Sequence, residues 1–188
     1  MERSVAQGAT KLTYDDFLLF PDDGKRHELI DGEHFVSPTP LLRHQRILLR
    51  LAYEIETFLR QHLLGELIIA PMDVIFTRFD VVEPDLLYIS HSRSHIKDKW
   101  VHGAPDLVVE ILSPSNRRYD EVTKRDLYDR TGVPEYWIVD PEAETVKVFR
   151  REGERFGRPQ LLSTRDEDVL GSPQLPGLAI PLAALFVA

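Results

Sequence analysis

The stretch "GAPDLVVEILSPSNRRYDEVTKRDLY", Gly103 to Tyr128, decides how this chain is read. Its centre, Leu107 to Leu112, has the composition of a buried strand, yet Glu110 stands in the middle of it. A carboxylate in that position is expensive unless it is paired, hydrogen-bonded or bound to a metal. Strand alternation puts Asp106, Val108, Glu110 and Leu112 on one face. Beyond it, the spacing predicts a helix from Tyr119 to Arg130, ended by Gly132 and Pro134. "EYWIVD" then reads as another strand.

Working outward, "PDLLYIS" predicts a strand with Asp85, Leu87 and Ile89 on one face, and "ELIIAPMDVIF" a long or broken strand interrupted at Pro71. From Leu41 to Leu64 the pattern turns helical. Ile47, Leu48, Leu51, Ile55, Phe58, Leu59 and His62 share a face that begins at His44. Arg43, Arg46 and Arg50 form a neighbouring stripe, which reads as a solvated face before a phosphate track. Gly65 is the expected C-cap of this helix. In "RHELIDGEHFVS", Asp31-Gly32 between alternating segments predicts a tight hairpin. Glu28 and Glu33 then read as solvated hairpin residues, with Glu28 able to assist from a cleft rim. Thr13 followed by Asp16 predicts a capped short helix stopped by Pro21. At the other end, "TVKVFRR" and "RPQLLS" predict a hairpin around Gly153, and the apolar tail "LPGLAIPLAALF" is expected to pack on the core. Tyr136 and Trp137 read as core.

The length of 188 residues suggests one domain. Its parts are an N-terminal helix and hairpin (13–37), a core (41–150) and a C-terminal extension (151–188). The fold class is α/β (α+β): helix, three strands, helix, strand, forming a mixed sheet with added hairpins. There are no cysteines, so disulfides and thiolate metal sites are excluded. No apolar run approaches ~18 residues and no signal-peptide core is visible, so no membrane contact and a cytoplasmic location are expected. A formal net charge of -8 argues against a protein that simply coats nucleic acid, while leaving room for a local basic cleft.

The chemistry centres on Glu110. If the Asp85 and Glu110 strands are neighbours, the two carboxylates converge and need a cation between them. Hard oxygen ligands favour Mg²⁺, Mn²⁺ or Ca²⁺, with the backbone carbonyl of Ile111 as a third ligand. Lys124, one turn before Leu127 and Tyr128, points partly inward and can offset their charge or stabilise a phosphoryl group. Plain alternatives stand beside each reading. Glu110 can be a structural acid paired with Arg125, Asp85 a turn residue, Lys124 a snorkelling surface lysine, and His44 a hydrogen-bonded core histidine.

Taken together, "EPDLLYIS", "APDLVVEILSPS", "YDEVTKRDLY" and "GVPEYWIVDPE" resemble the bacterial restriction-endonuclease-like family of the PD-(D/E)XK nuclease superfamily. "HELIDGE" and the His44 helix fit its opening, and the resemblance runs from Thr13 to Arg150. It implies a restriction-endonuclease-like core and Mg²⁺-dependent (or Mn²⁺-dependent) cleavage of DNA. Asp85 would be the acid of the Pro-Asp motif, Glu110 the second acid, and Lys124 the lysine displaced to the following helix, because Leu112 stands where the superfamily has lysine. His44, Glu28 and Asp106 are auxiliary candidates, and Asp106, which also follows a proline, rivals Asp85. A homodimer is expected, since such nucleases pair to cut two strands, and an unidentified protein partner would supply specificity. The contrasting reading is a catalytically inactive binding or interaction module on the nuclease fold.

Overall fold

The computed structural model describes residues 10–187. In chain order its strands are β1 (Arg26–Ile30), β2 (Glu33–Ser37), β3 (Gly65–Ile69), β4 (Val74–Thr77), β5 (Asp80–Val82), β6 (Leu86–Ser90) and β7 (Val101–His102). They continue as β8 (Leu107–Ile111), β9 (Glu135–Asp140), β10 (Thr145–Glu152), β11 (Arg155–Phe156), β12 (Gln160–Ser163), β13 (Val169–Ser172) and β14 (Leu175–Pro181). The α-helices are α1 (Tyr14–Phe17), α2 (Leu42–His62), α3 (Arg125–Arg130) and α4 (Leu182–Leu185), with a π-helical turn, Tyr119–Lys124, running into α3.

Two mixed sheets carry the chain. The larger has the order β11-β10-β9-β8-β6-β3, with β12 paired to β10. Within it β8 and β9 are parallel, as the helical crossover between them demands, and β6 lies antiparallel to β8. The smaller sheet runs β2-β1-β5-β4-β7. "ELIIAPMDVIF" is therefore divided at Pro71 between two sheets, and β5, not anticipated from the sequence, forms a hairpin with β4.

Alternation along β6 and β8 feeds two cores. Leu86, Tyr88, Leu107, Val109 and Ile111 face α2, whose Ile47, Leu48, Leu51, Ile55 and Leu59 cover them together with the C-terminal β14 and α4. Leu87, Ile89, Val108 and Leu112 face the other way, against Leu127 and Tyr128 of α3 and against Ile30, Val74 and Val82 of the smaller sheet. Glu110 belongs to this second face. Glu135 on β9 accepts hydrogen bonds from Trp137 Nε1 (3.0 Å), Arg150 Nε (3.1 Å) and the Ser172 hydroxyl, tying the β13–β14 hairpin to the large sheet.

Local signals account for most boundaries. Thr13 caps α1 in a reciprocal capping box with Asp16. Asp31 and Gly32 both take positive φ (53° and 75°), as a type I′ turn between β1 and β2 requires. The C-terminus of α2 differs from expectation. Leu63, not Gly65, takes the left-handed conformation (φ 47°), and its amide donates to the Leu59 carbonyl. Gly65 instead opens β3 where a Cβ would come within 2.3 Å of the Ile89 carbonyl, so close strand approach is its role. His62 is exposed and Phe58 only partly buried, so the buried stripe of α2 is narrower than its periodicity suggests.

Candidate active site

Glu110, Asp85, Lys124, Glu28 and His44 come together at one end of the β6–β8 pair, and all five are buried. The β6–β8 ladder pairs Leu86 with Val109, so one step further Asp85 stands beside Glu110. Glu110 Oε1 accepts from Lys124 Nζ (2.8 Å) and from the Tyr128 hydroxyl (2.7 Å). Both donors come from the helical crossover that begins at Tyr119. Its short link to β8 holds the ammonium over the strand that precedes it. Lys124 Nζ also lies 2.9 Å from Glu28 Oε1 and 3.9 Å from Asp120, while the Tyr119 ring stacks over it at 5.4 Å.

Asp85 is held from three sides. Its Oδ1 accepts from Arg26 (2.9 Å), and its Oδ2 from His44 Nε2 and from the Ile111 amide, both 2.9 Å. His44 reaches it from the first turn of α2 and Arg26 from the start of β1. Strand alternation puts Arg26, Glu28 and Ile30 on one side of β1. That side faces the large sheet, which is why Glu28 is wholly buried rather than solvated as its hairpin position suggested. Glu28 Oε1 also accepts from the Glu83 amide (2.9 Å), and its Oε2 is buried without a hydrogen-bond partner. Glu33, by contrast, is exposed.

The electrostatics separate the two acids. Burial pushes Glu110 up to about 7; Lys124 opposes this, and the charges of Asp85 and Glu28 reinforce it. Asp85 moves the other way. Burial would raise it, but the His44 hydrogen bond, the His44 and Arg26 charges and the Ile111 amide hold it well below the usual carboxylate range. Burial would lower Lys124, yet Glu110, Glu28 and Asp120 raise it well above the ordinary lysine value, so the ammonium persists. Burial, too, raises Asp120, with Glu110 and Asp85 adding to it against Lys124. At the rim, Glu83 is pushed up to about 7, first by burial, with Arg26 opposing.

Asp106 sits apart. Its Oδ2 accepts from the Ser90 amide (2.7 Å) and its Oδ1 lies 3.7 Å from Arg93. Four residues of strand, about 13 Å, separate it from Glu110. It buttresses the far end of the sheet and does not share a site with Glu110. Arg125 is likewise not the partner of Glu110; it bonds Asp126 (2.6 Å). The arginine stripe of α2 is only partly solvated. Arg43 pairs with Glu144 (2.7 Å) and Arg50 donates to the Leu185 carbonyl (3.2 Å), bordering a cavity of about 330 Å³ with Phe186. Arg26, Tyr128 and Asp120 are site residues that the sequence reading passed over. The inward side of β1 was legible for Arg26 in the alternation of "RHELI", whereas nothing in the sequence marks Tyr128 as a donor to Glu110.

Three surface cavities each reach one side chain of the cluster or one that touches it. One of about 430 Å³ is bordered by Lys25, Arg26, Ser37 and Glu83. Another, about 180 Å³, is bordered by Arg43, His44, Ser113 and Arg117. The third, about 380 Å³, is bordered by Ser37, Ser115, Arg118 and Tyr119.

The mixed sheet thus sets two acids, Asp85 and Glu110, side by side on neighbouring strands, with a lysine delivered by the following crossover. The fold has a solved counterpart. A protein described as "a putative nuclease belonging to DUF820", from Anabaena variabilis ATCC 29413, superposes with a TM-score of 0.79. The two are 21% identical, and the match covers 93% of this chain and 97% of that one. The sequence profile of the Uma2 family, described as "Putative restriction endonuclease", matches residues 14–183, and the chain belongs to that family. No curated protein matches the chain.

Proposed function

We propose that the chain is a Mg²⁺- or Mn²⁺-dependent endonuclease that hydrolyses DNA phosphodiester bonds at Asp85, Glu110 and Lys124. One observation carries this reading: the buried cluster holds more carboxylate than it can neutralise. Glu28, Asp85, Glu110 and Asp120 face one ammonium and one guanidinium. Their mutual repulsion adds to burial in pushing Glu110 and Asp120 up, and a divalent cation would relieve it.

The donor set fits such an ion. Both Glu110 hydrogen bonds fall on Oε1, which leaves Oε2 free of them, and Asp85 Oδ1 has a single partner. Among the described residues no three His, Asp or Glu side chains form a ready-made cage. Mg²⁺ does not need one, because it keeps several waters and takes one or two carboxylates. Asp85 and Glu110 would hold it, with the Ile111 carbonyl as a third ligand. The ion would supply Lewis-acid polarisation of the phosphodiester and acidify water.

The chain's own residues do the rest. Asp85, ionised by its three donors, keeps a permanent charge at the site. Lys124 positions Glu110 and offers its ammonium to charge developing on the phosphoryl oxygens. His44 and Tyr128 orient the two acids. Lys25, Arg26, Arg43, Arg117 and Arg118 border the three cavities, but the first four are each paired with a carboxylate of the chain, so a phosphate would have to exchange with those pairs. Cutting both strands calls for two sites, so a homodimer is part of the proposal, as are action in the cytoplasm and a protein partner for specificity. Among the described residues no helix is long and apolar enough to cross a membrane. The test is nicking of supercoiled plasmid with Mg²⁺ or Mn²⁺, compared with Glu110→Gln. Metal-dependent nicking by the native chain alone is expected, and equal activity in both sinks the assignment.

A second reading, a binding module without turnover, is favoured by the ion pairs themselves. Arg26 and Lys124 already occupy the two acids. DNA retention in a gel-shift assay without nicking under any divalent ion would select it.

A further inference from the structure

A second cluster lies on the opposite side of β1. His27 follows Arg26 and precedes Glu28, so alternation turns it away from the acids. In the β1–β2 ladder His27 faces Val36 and Leu29 faces His34, which makes His27 and His34 diagonal neighbours on one face. His27 Nδ1 and His34 Nε2 stand 2.9 Å apart. The ring planes are 6° apart with centroids 5.2 Å apart, so the rings meet edge to edge with the two nitrogens between them. Asp23 Oδ1 lies 2.9 Å from His27 Nε2. A carboxylate can only accept, so Nε2 carries a proton, and in the tautomer protonated there Nδ1 presents its lone pair to His34. Phe20 backs both rings, with centroids 5.6 Å from His27 and 4.3 Å from His34.

We infer that His27 Nδ1 and His34 Nε2 form a two-histidine site for a transition-metal ion of the Zn²⁺ class, with Asp23 orienting His27 from behind. Imidazole nitrogens select such ions over Mg²⁺. Two nitrogens at ~2.0–2.1 Å from a tetrahedral ion are about 3.3 Å apart, so the pair opens by about 0.4 Å and the rings, which point their nitrogens at each other, turn by roughly 35° each to aim both at the ion. His34 is exposed and can make that turn. The proton shared between the two nitrogens moves to His34 Nδ1, so binding needs this change of tautomer besides the turn of the rings. Asp23 plays the second-shell part that fixes ring orientation in carboxylate–histidine–metal arrangements. Among the described residues no third side chain joins them, so water completes the shell. The site is independent of the proposed nuclease chemistry. Because His27 sits between Arg26 and Glu28, a bound ion would clamp β1 to β2 beside the acids.

The test is calorimetric titration of the tag-free full chain with Zn²⁺. It is made in an Asp85→Asn, Glu110→Gln background so that the acid site cannot contribute. One equivalent should bind, and Zn²⁺ should raise the melting temperature. Adding His34→Gln, at an exposed position where folding is not at risk, should weaken binding roughly tenfold or more and abolish the thermal shift. Asp23→Asn should weaken binding by about tenfold without abolishing it. Equal isotherms with and without His34→Gln, or no binding in the starting background, would overturn the inference and leave a proton-sharing pair.

Discussion

Glu110→Gln separates a carboxylate held for chemistry from one held for structure. The side chain takes hydrogen bonds from Lys124 and Tyr128 on a single oxygen, and a glutamine oxygen can accept both. Lys124 loses one counter-ion but retains Glu28 at 2.9 Å. What the substitution removes is a buried negative charge whose pKa is raised from 4.5 to about 7. An acid with a raised pKa in the folded state binds more protons there than in the unfolded chain. Its contribution to stability is therefore fullest below about pH 4.5 and is lost as pH rises toward 7. A rise of that size corresponds to about 3 kcal/mol. Urea unfolding without divalent ions should show Glu110→Gln close to the native chain at pH 4.5 and more stable by up to about 3 kcal/mol at pH 8. Adding Mg²⁺ at pH 8 should narrow that gap by stabilising the native chain alone. A loss on the order of 3–5 kcal/mol at pH 8 would refute the reasoning and make the Glu110–Lys124 pair a structural salt bridge.

Lys124→Ala should not be silent to the fold, because it strips the ammonium from among Glu28, Glu110 and Asp120; the expected loss is about 3–5 kcal/mol by urea unfolding. Part of that loss should return when Glu110→Gln is added, and strict additivity of the two changes would argue against their coupling. Calorimetry should show weak Mg²⁺ binding to the native chain that disappears in Asp85→Asn, Glu110→Gln; unchanged heats would move the ion elsewhere. Gly65→Ala drives a Cβ to within 2.3 Å of the Ile89 carbonyl, so it should destabilise by at least about 1–3 kcal/mol as an overpacking change. A melting temperature equal to that of the native chain would show that β3 shifts freely at the sheet edge.

Whatever short-range physics controls could be read along the chain. The Thr13 cap, the Asp31-Gly32 turn, the periodicity of α2 and the alternation that puts Glu110 on the same face of β8 as Val108 and Leu112 each depend on a few neighbouring residues. The meeting of Asp85 with Glu110 needed one further assumption, that β6 and β8 are neighbours, and the ladder has them so. Where several positions compete for a role, sequence could not choose. Asp85 and Asp106 both follow proline, and only the strand direction shows Asp106 about 13 Å down β8 from Glu110. Glu28 lies in a hairpin, and hairpins often have one wet side; the packing of β1 against the large sheet made its side the dry one. Leu63 rather than Gly65 adopts the left-handed cap because Gly65 is committed to a close strand contact that only the folded sheet creates. Sequence determined which residues share a face of each element, though not always, as Glu28 and His62 show, which face is buried. The tertiary structure decided which inward carboxylates share one ammonium, because Coulomb energies depend on distances between elements and the chain specifies those only through packing.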